Sequence, residues 1–543
     1  MLKKSFFINF ILLIVLVLGA CSDGEVKTSG GDNGDNNVSG ESGGKGGTLY
    51  LGTTAAPTLF NPYYSTDTSS STIEDFIFSG LVTVNHEFTP EGDLAEDWDV
   101  SEDGTIWTFH LREGVKWHDG EDFTADDVVF SYSLPLDENY VGPRGLPFET
   151  IKEINKIDKY QVEFVLSEPY APFITITAQF GILPEHILGD VPVADLGKSS
   201  FNTKEPIGTG PFKFKQWKEG EYIELVANED YFLGAPKLDS LIYKIVPDMN
   251  TLMAQLQVGD INLTSISPQY LETAKNLADK GIVELSSGPS NSWEYIGYNL
   301  RNELFQDKKV RQALTHAIDK EAIVTAILDG SGAVTHGPGS PANWAYNDDV
   351  AQFDYNPEEA KKKLKEAGWE PGADGILQKD GEKFEFSLKT TSANEVRQQI
   401  AEVVQQQFSE IGIKTTIELL EWSAYVEETS PPKWNFDAIV AGWSIGSDPD
   451  PTWFWHSSEI ENGLNYSGYS NPEVDKLLSE NTKIGDIEER KRVIGEADAI
   501  VTEDQPNTFL YVNEGHLAVA KNLKGPKYSP ANTYYQIHEW YVE

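Results

Sequence analysis

The residues that could do acid–base or metal chemistry are too scattered to do it together. The nine histidines stand at 86, 110, 118, 186, 316, 336, 456, 516 and 538, with no close pair at metal-ligand spacing. There is no P-loop, no G-x-G-x-x-G after a strand, no H-E-x-x-H and no G-x-S-x-G. His118-Asp119 has the make-up of an acid–base pair, but Lys116-Trp117-His118-Asp119-Gly120 reads as a strand end entering a turn. Asp374-Gly375 and Asp380-Gly381 also read as turns and miss the full calcium-loop pattern. With 86 acidic residues, adjacent carboxylates carry no information. The expectation is a protein that is not an enzyme and holds no metal and no cofactor.

Aromatic residues say more. Trp422, Trp434, Trp443, Trp453 and Trp455 fall within 34 residues. The run Phe436 to Trp443 reads as a buried strand ending in Gly442-Trp443, followed by a loop holding Gly446, Asp448, Pro449, Asp450 and Pro451. Aromatics beside a strand end with free backbone groups suit an amphipathic ligand. A large tryptophan-rich core has the same composition, and the residues alone leave both open.

The lone cysteine, Cys21, follows Lys3-Lys4, an apolar run from Phe6 to Val17 and Leu18-Gly19-Ala20. This is the order of an export signal, and the run is too short to span a bilayer comfortably. It resembles a bacterial lipobox, which predicts a signal peptide over 1–20 and an acylated Cys21 that anchors the chain to the membrane. Ser22 to Gly47, with nine glycines in 26 residues, reads with Cys21 as a flexible tether over 21–47. The expected place is therefore the extracellular face of the cell membrane. One cysteine excludes an intrachain disulfide framework. A formal charge of −44 argues against nucleic acid and against electrostatic adsorption to anionic lipid.

The 543 residues should fold as two or three lobes rather than around one core. Period-two alternation at Leu49/Leu51/Thr53, Trp107/Phe109/Leu111 and Val162/Phe164/Leu166 predicts strands. Helical spacing appears at Val310, Ala313, Leu314 and Ala317. Asn356-Pro357-Glu358 opens another helix that stops near Gly368. A helix through Ile400, Val404 and Phe408, ended near Gly412, precedes a strand at Ile413 to Leu419. The class is mixed α/β.

Several motifs then resemble one family. Leu94-Ala95-Glu96-Asp97-Trp98 is followed by Trp107-Thr108-Phe109, by the run Leu111 to Gly120, and by Phe123-Thr124-Ala125-Asp126-Asp127-Val128. Pro206-Ile207-Gly208-Thr209-Gly210-Pro211-Phe212, Asn228-Glu229-Asp230-Tyr231-Phe232 and Val310-Arg311-Gln312-Ala313-Leu314 extend the match. These resemble the large peptide-binding family of solute-binding proteins that serve ABC importers. The resemblance implies a periplasmic-binding-protein-like type II (class C) fold, a bilobal cleft with an additional lobe. Lobe I would comprise 48–79, 205–300 and 509–543, lobe II 80–204 and lobe III 301–508. Hinges are expected at Asn299, Leu300, Phe509 and Leu510.

The resemblance further implies a monomeric receptor that closes on an oligopeptide and passes it to the importer's permease subunits. The ligand would pair with Ala441, Gly442, Trp443 and Ser444, face Phe60 and Asn61, and touch Trp422. Family members carry an aspartate that pairs with the peptide's amino terminus four residues before a proline, but here that position is Ile445. Asp448 and Asp450, both expected at the ligand site, stand nearby but displaced; either Asp448 takes the role, or the amino end is read weakly. The same fold with a glycan, nickel chelate or opine as solute is the alternative, ahead of a surface degradative enzyme or a signalling protein.

Overall fold

The structure, a computed structural model, describes residues 46–145, 148–430, 432–461 and 463–543. The expected signal segment, Cys21 and the tether up to residue 45 lie outside the described residues. Gly46 and Gly47 already belong to the folded body: Gly46 N donates to Lys237 O and Gly47 N to the Asp239 carboxylate.

Alternating strands build a side sheet in the order Ala95–Val100, Ile106–Leu111, Gln161–Leu166, Ile151–Asp158, all antiparallel. Its inward residues Trp107, Phe109, Val162 and Phe164 are buried, and the Phe109 and Phe164 rings meet edge to face at 5.7 Å. An 11-stranded sheet forms the frame. In its first half stand Thr48–Thr53, Phe212–Lys218, Tyr222–Ala227, Ser240–Ile245 and Leu263–Ser265. In its second half stand Glu385–Thr391, Lys414–Leu420, Ala438–Ser444 and the short Gly332–Val334.

Two long strands, Val283–Tyr298 and Asn507–Ala520, run through both halves. Val283–Pro289 pairs with Glu514–Ala520, then the register shifts, and Trp293–Gly297 pairs with Asn507–Val512. Leu517–Val519 pairs with Leu263–Ser265 in the first half, whereas Tyr511–Asn513 pairs with Gly332–Val334 in the second. The passage between halves therefore lies at Pro289–Trp293 and Val512–Glu514. Beside it His516 is held by Ser287 Oγ (2.7 Å) and Ser331 Oγ (2.6 Å).

This corrects the expected hinge positions. Asn299 and Leu300 are tied into the second half through Asp437 O, Phe436 O and Ser467 O, and Phe509 and Leu510 are fully buried there. A strand that changes neighbours midway keeps its side-chain alternation, so alternation shows where it ends and not where it crosses.

Helices cover both faces of the second half. Pro357–Glu366 is capped by Asn356 and followed by Gly368 at φ +92°; Glu395–Glu410 is capped by Asn394 and followed by Gly412 at φ +85°. One core lies on the face with Ile296, Val440 and Leu510, a second on the face with Trp293, Ile439 and Phe454. The first half and the side sheet share one continuous core from Leu49 through Phe109 to Trp540, so they are packed as a single body.

Candidate functional site

Glu385–Thr391 runs parallel to both Lys414–Leu420 and Ala438–Ser444, so the carboxyl ends of three strands share one edge. In α/β sheets this is where ligands bind. Chain segments leave the edge at Ser392–Asn394, at Glu421 into helix Trp422–Thr429, and at Ile445–Pro451. Trp422 and Ala441–Ser444 thus stand at strand ends on the same edge, with Glu385–Thr391 between their strands.

The backbone there is half free. Ala438 and Ile439 pair with Leu388 and Lys389 on one side and with Tyr298 and Gly297 on the other. From Ala441 to Ser444 only the Val283–Tyr298 side is paired: Ala441 with Tyr295, Gly442 with Glu294, Trp443 with Trp293, Ser444 with Ser292. Among the described residues no strand pairs with their other side. Gly442 permits a close approach. A Cβ on it would lie 2.3 Å from Glu294 Oε1 and 2.7 Å from Arg397 Nη2, the two halves of a poorly exposed ion pair (Nε–Oε2 2.8 Å, Nη2–Oε1 2.9 Å). Nothing in the sequence flagged that pair, whose members lie 103 positions apart.

The tryptophans differ. Trp422 is exposed, with its ring stacked on Tyr425 at 5.9 Å. Trp443 is packed against Phe454 (4.8 Å), Tyr466 (5.3 Å) and Tyr295 (6.5 Å) and borders the second-half core. Phe60 and Asn61, expected to face the ligand, are fully buried. Phe60 packs on Trp217, and Asn61 joins its side chain to Asn202 and its N–H to Glu74. A turn closed by Tyr64 N and Ser65 N on Asn61 O leads from there into helix Thr68–Ile77. Its Thr68 and Asp75 line an open pocket of about 640 Å³ with Gln179 and Tyr535. Ser71, Asp75, Gln179 and Ile176 line a second of about 270 Å³. Ordinary small-molecule sites are about 300–1,000 Å³.

Asp448 and Asp450 are buried and committed to protein partners. Asp448 is gripped by Arg490 and accepts from Thr175 Oγ1 at 2.7 Å; Asp450 accepts from Thr452 and Asn481. Burial pushes the Asp450 carboxyl up to about 6. Neither carboxylate stands free to receive a ligand's ammonium, which corrects the expectation for both. His118 is structural: Gly208 N donates to its Nδ1, Gly210 O lies 3.0 Å from its Nε2, and burial lowers its pKa to about 4. Asp119 pairs with His186 instead.

Residues 89–463 match the bacterial extracellular solute-binding proteins, family 5. The chain is 44% identical to the oligopeptide-binding protein AppA of Bacillus subtilis over 98% of each chain, and 32% identical to heme-binding protein A of Haemophilus influenzae over 88% of this chain and 89% of that one. It is similar in structure to B. subtilis AppA in complex with a nonapeptide (TM-score 0.76, 45% identity, 92% of this chain and 99% of that one). It is also similar to NikZ of Campylobacter jejuni in complex with Ni(L-His) (TM-score 0.76, 31% identity, 91% and 99%). The fold is the periplasmic-binding-protein-like type II fold. The chain belongs to the bacterial extracellular solute-binding proteins of family 5.

Proposed function

We propose that this protein captures oligopeptides between the first-half body and the second-half rim and delivers them to an ABC importer. The observation that carries the reading is the open edge of Ala441–Ser444. A peptide backbone offers the same donors and acceptors whatever its sequence, so pairing with a free strand edge gives affinity without sequence choice. The likeness to AppA, solved with a nonapeptide, supports the same reading. Ala441, Gly442, Trp443 and Ser444 supply the pairing edge, and Trp422 an exposed aromatic wall. The body facing them contributes Thr68, Ser71, Asp75 and Gln179.

We place the receptor, as a monomer, on the outer face of the membrane with acylated Cys21 as its anchor. The three-lobe division then has its moving joint at Pro289–Trp293 and Val512–Glu514. Binding without turnover is the expected activity.

Native mass spectrometry of protein extracted from its own membrane tests the reading. A ladder of co-purifying peptide masses is expected; a single metal-complex, haem or sugar mass would overturn it. Cys21→Ala should move the protein from the membrane to the soluble fraction, and retention would sink the anchor.

A further inference from the structure

At the joint between the halves one imidazole is tied to both. Ser287 and His516 are register partners in the first-half part of the two long strands, where His516 O also accepts from Ile266 N. Ser331 stands on the other side. Its N–H donates to Leu328 O, Leu328 lies in a second-half core, and the next residues, Gly332–Val334, pair with Tyr511–Asn513. The ring joins the two serines, Nδ1 to Ser287 Oγ at 2.7 Å and Nε2 to Ser331 Oγ at 2.6 Å, and is 4% exposed. At the next register pair Gly288 faces Gly515, and Tyr528 fills the place of a side chain: a Cβ on Gly515 would lie 2.0 Å from Tyr528 Oη. A rotation of the second half about Pro289–Trp293 and Val512–Glu514 would shift Ser331 against a ring that stays with the first half.

A neutral imidazole donates from one nitrogen and accepts at the other, so one serine accepts and the other donates. A protonated ring donates to both. Hydroxyls serve either role, so the proton breaks no bond; it places a cation in a sealed site. The charged groups facing the ring are Glu514 of its own strand, 3.8 Å away, and Lys275 of helix Leu271–Asp279. Burial lowers the His516 pKa from its ordinary 6.5; Glu514 opposes this and Lys275 adds to it. The bodies are in contact here, with Thr175 bonding Asp448. Parting them at Ser331 would let water reach the ring and return it toward 6.5. The closed form thus binds the proton more weakly than the open form, and falling pH favours opening.

We propose that the Ser287–His516–Ser331 bridge is a proton-operated latch across the joint: with the ring neutral it holds the halves closed on the peptide, and a proton on the ring releases them. The inference rests on the peptide reading and the joint given above.

Its test is calorimetric titration of the full chain with a nonapeptide at about pH 7.5 and about pH 5.5, on either side of the ordinary histidine value. Wild type, His516→Gln and Ser331→Ala are compared. Buried acids such as Asp450 titrate in all three, so only the differences between chains belong to the latch. From the higher to the lower pH the wild-type Kd should rise about tenfold more than that of His516→Gln, since the lower pH lies about one unit below the ordinary value. In buffers of different ionisation enthalpy, wild type at the lower pH should expel about one proton more per peptide than His516→Gln, which lost packing alone does not produce. Ser331→Ala keeps the ring, loses the tie and should bind about fivefold more weakly than wild type already at the higher pH.

Equal pH dependence and equal proton release in wild type and His516→Gln, or Ser331→Ala binding within twofold of wild type, would overturn the latch and leave the peptide reading standing. If wild type binds no peptide, that reading falls, and hydrogen exchange of the unliganded chain decides the latch. Exchange at Gly332–Val334, corrected for its intrinsic rate, should then quicken severalfold at the lower pH in wild type and not in His516→Gln. The same change in both chains would overturn it.

Discussion

Asp448 and Arg490 form a bidentate ion pair sealed from solvent (Nη1–Oδ2 2.8 Å, Nη2–Oδ1 2.7 Å), and Thr175 reaches across from the opposite body to the same carboxylate. Two further contacts join the bodies beside it: Ala171 N donates to Thr482 O at 2.6 Å, and Lys483 stands 3.8 Å from Glu168. Glu168–Thr175 is therefore a strip docked against the second half, and through Thr175 it bonds the buried Asp448. A hydrogen bond to a charged group contributes about 1.5–3 kcal/mol, more than the exposed Lys483–Glu168 pair can add.

Thr175→Val should therefore loosen the closed form without unfolding either body. Peptide dissociation, followed by stopped-flow fluorescence, should speed up about tenfold, with the melting temperature of the unliganded protein little changed. A dissociation rate within twofold of wild type would show that the strip does not hold the closed state.

Arg490 has a different burden. Its Nε also donates to Asn481, which in turn donates to Asp450, so one guanidinium organises two buried acids. Arg490→Met should lower unfolding stability by about 3–5 kcal/mol, because breaking one side of a buried pair strands the other charge. Adding Asp448→Leu should recover part of that loss in urea titrations. An additive double variant would mean the pair is not coupled.

How far the sequence reaches is visible at these residues. The alternation at Trp107/Phe109/Leu111 marks a real strand, because a half-buried strand must alternate. The Gly442-Trp443 strand end and Trp422 lie on one sheet edge, because parallel strands align their carboxyl ends. Asp448 and Asp450, by contrast, looked available only because their partners Arg490 and Asn481 lie 42 and 31 positions away. Phe60 looked like a cleft residue because an aromatic beside Asn61-Pro62 reads the same whether its ring meets solvent or Trp217. Long-range pairing has no local signature in a single chain.

Glu74 gives a pH prediction. It sits in helix Thr68–Ile77, receives Asn61 N at 2.7 Å and Ser65 Oγ at 2.9 Å, and burial outweighs both, raising its pKa to about 8. The folded state then keeps a proton that the unfolded chain loses near its ordinary value of 4.5. Stability contributed by this group is full below that value, falls as pH rises, and levels off above about 8. The slope from this one group is at most about 1.4 kcal/mol per pH unit. Glu74→Gln should flatten the fall in urea midpoints between the two values. An identical pH profile in the variant would mean that Glu74 ionises in the folded protein as it does in water.

Trp443 and Trp422 separate packing from contact at the same rim. The Trp443 ring is wedged between Phe454 and Tyr466, so Trp443→Ala leaves a cavity in the second-half core and should cost about 3 kcal/mol in chemical denaturation. Trp422 is 54% exposed and touches mainly Tyr425, so Trp422→Ala should change stability by no more than about 0.5 kcal/mol. In calorimetry the order should reverse. Trp422→Ala should weaken peptide binding directly, whereas Trp443→Ala should act only as far as it shifts the pairing edge of its own strand. If Trp443→Ala abolished binding with no loss of stability, its ring would be a cleft wall and not a core residue.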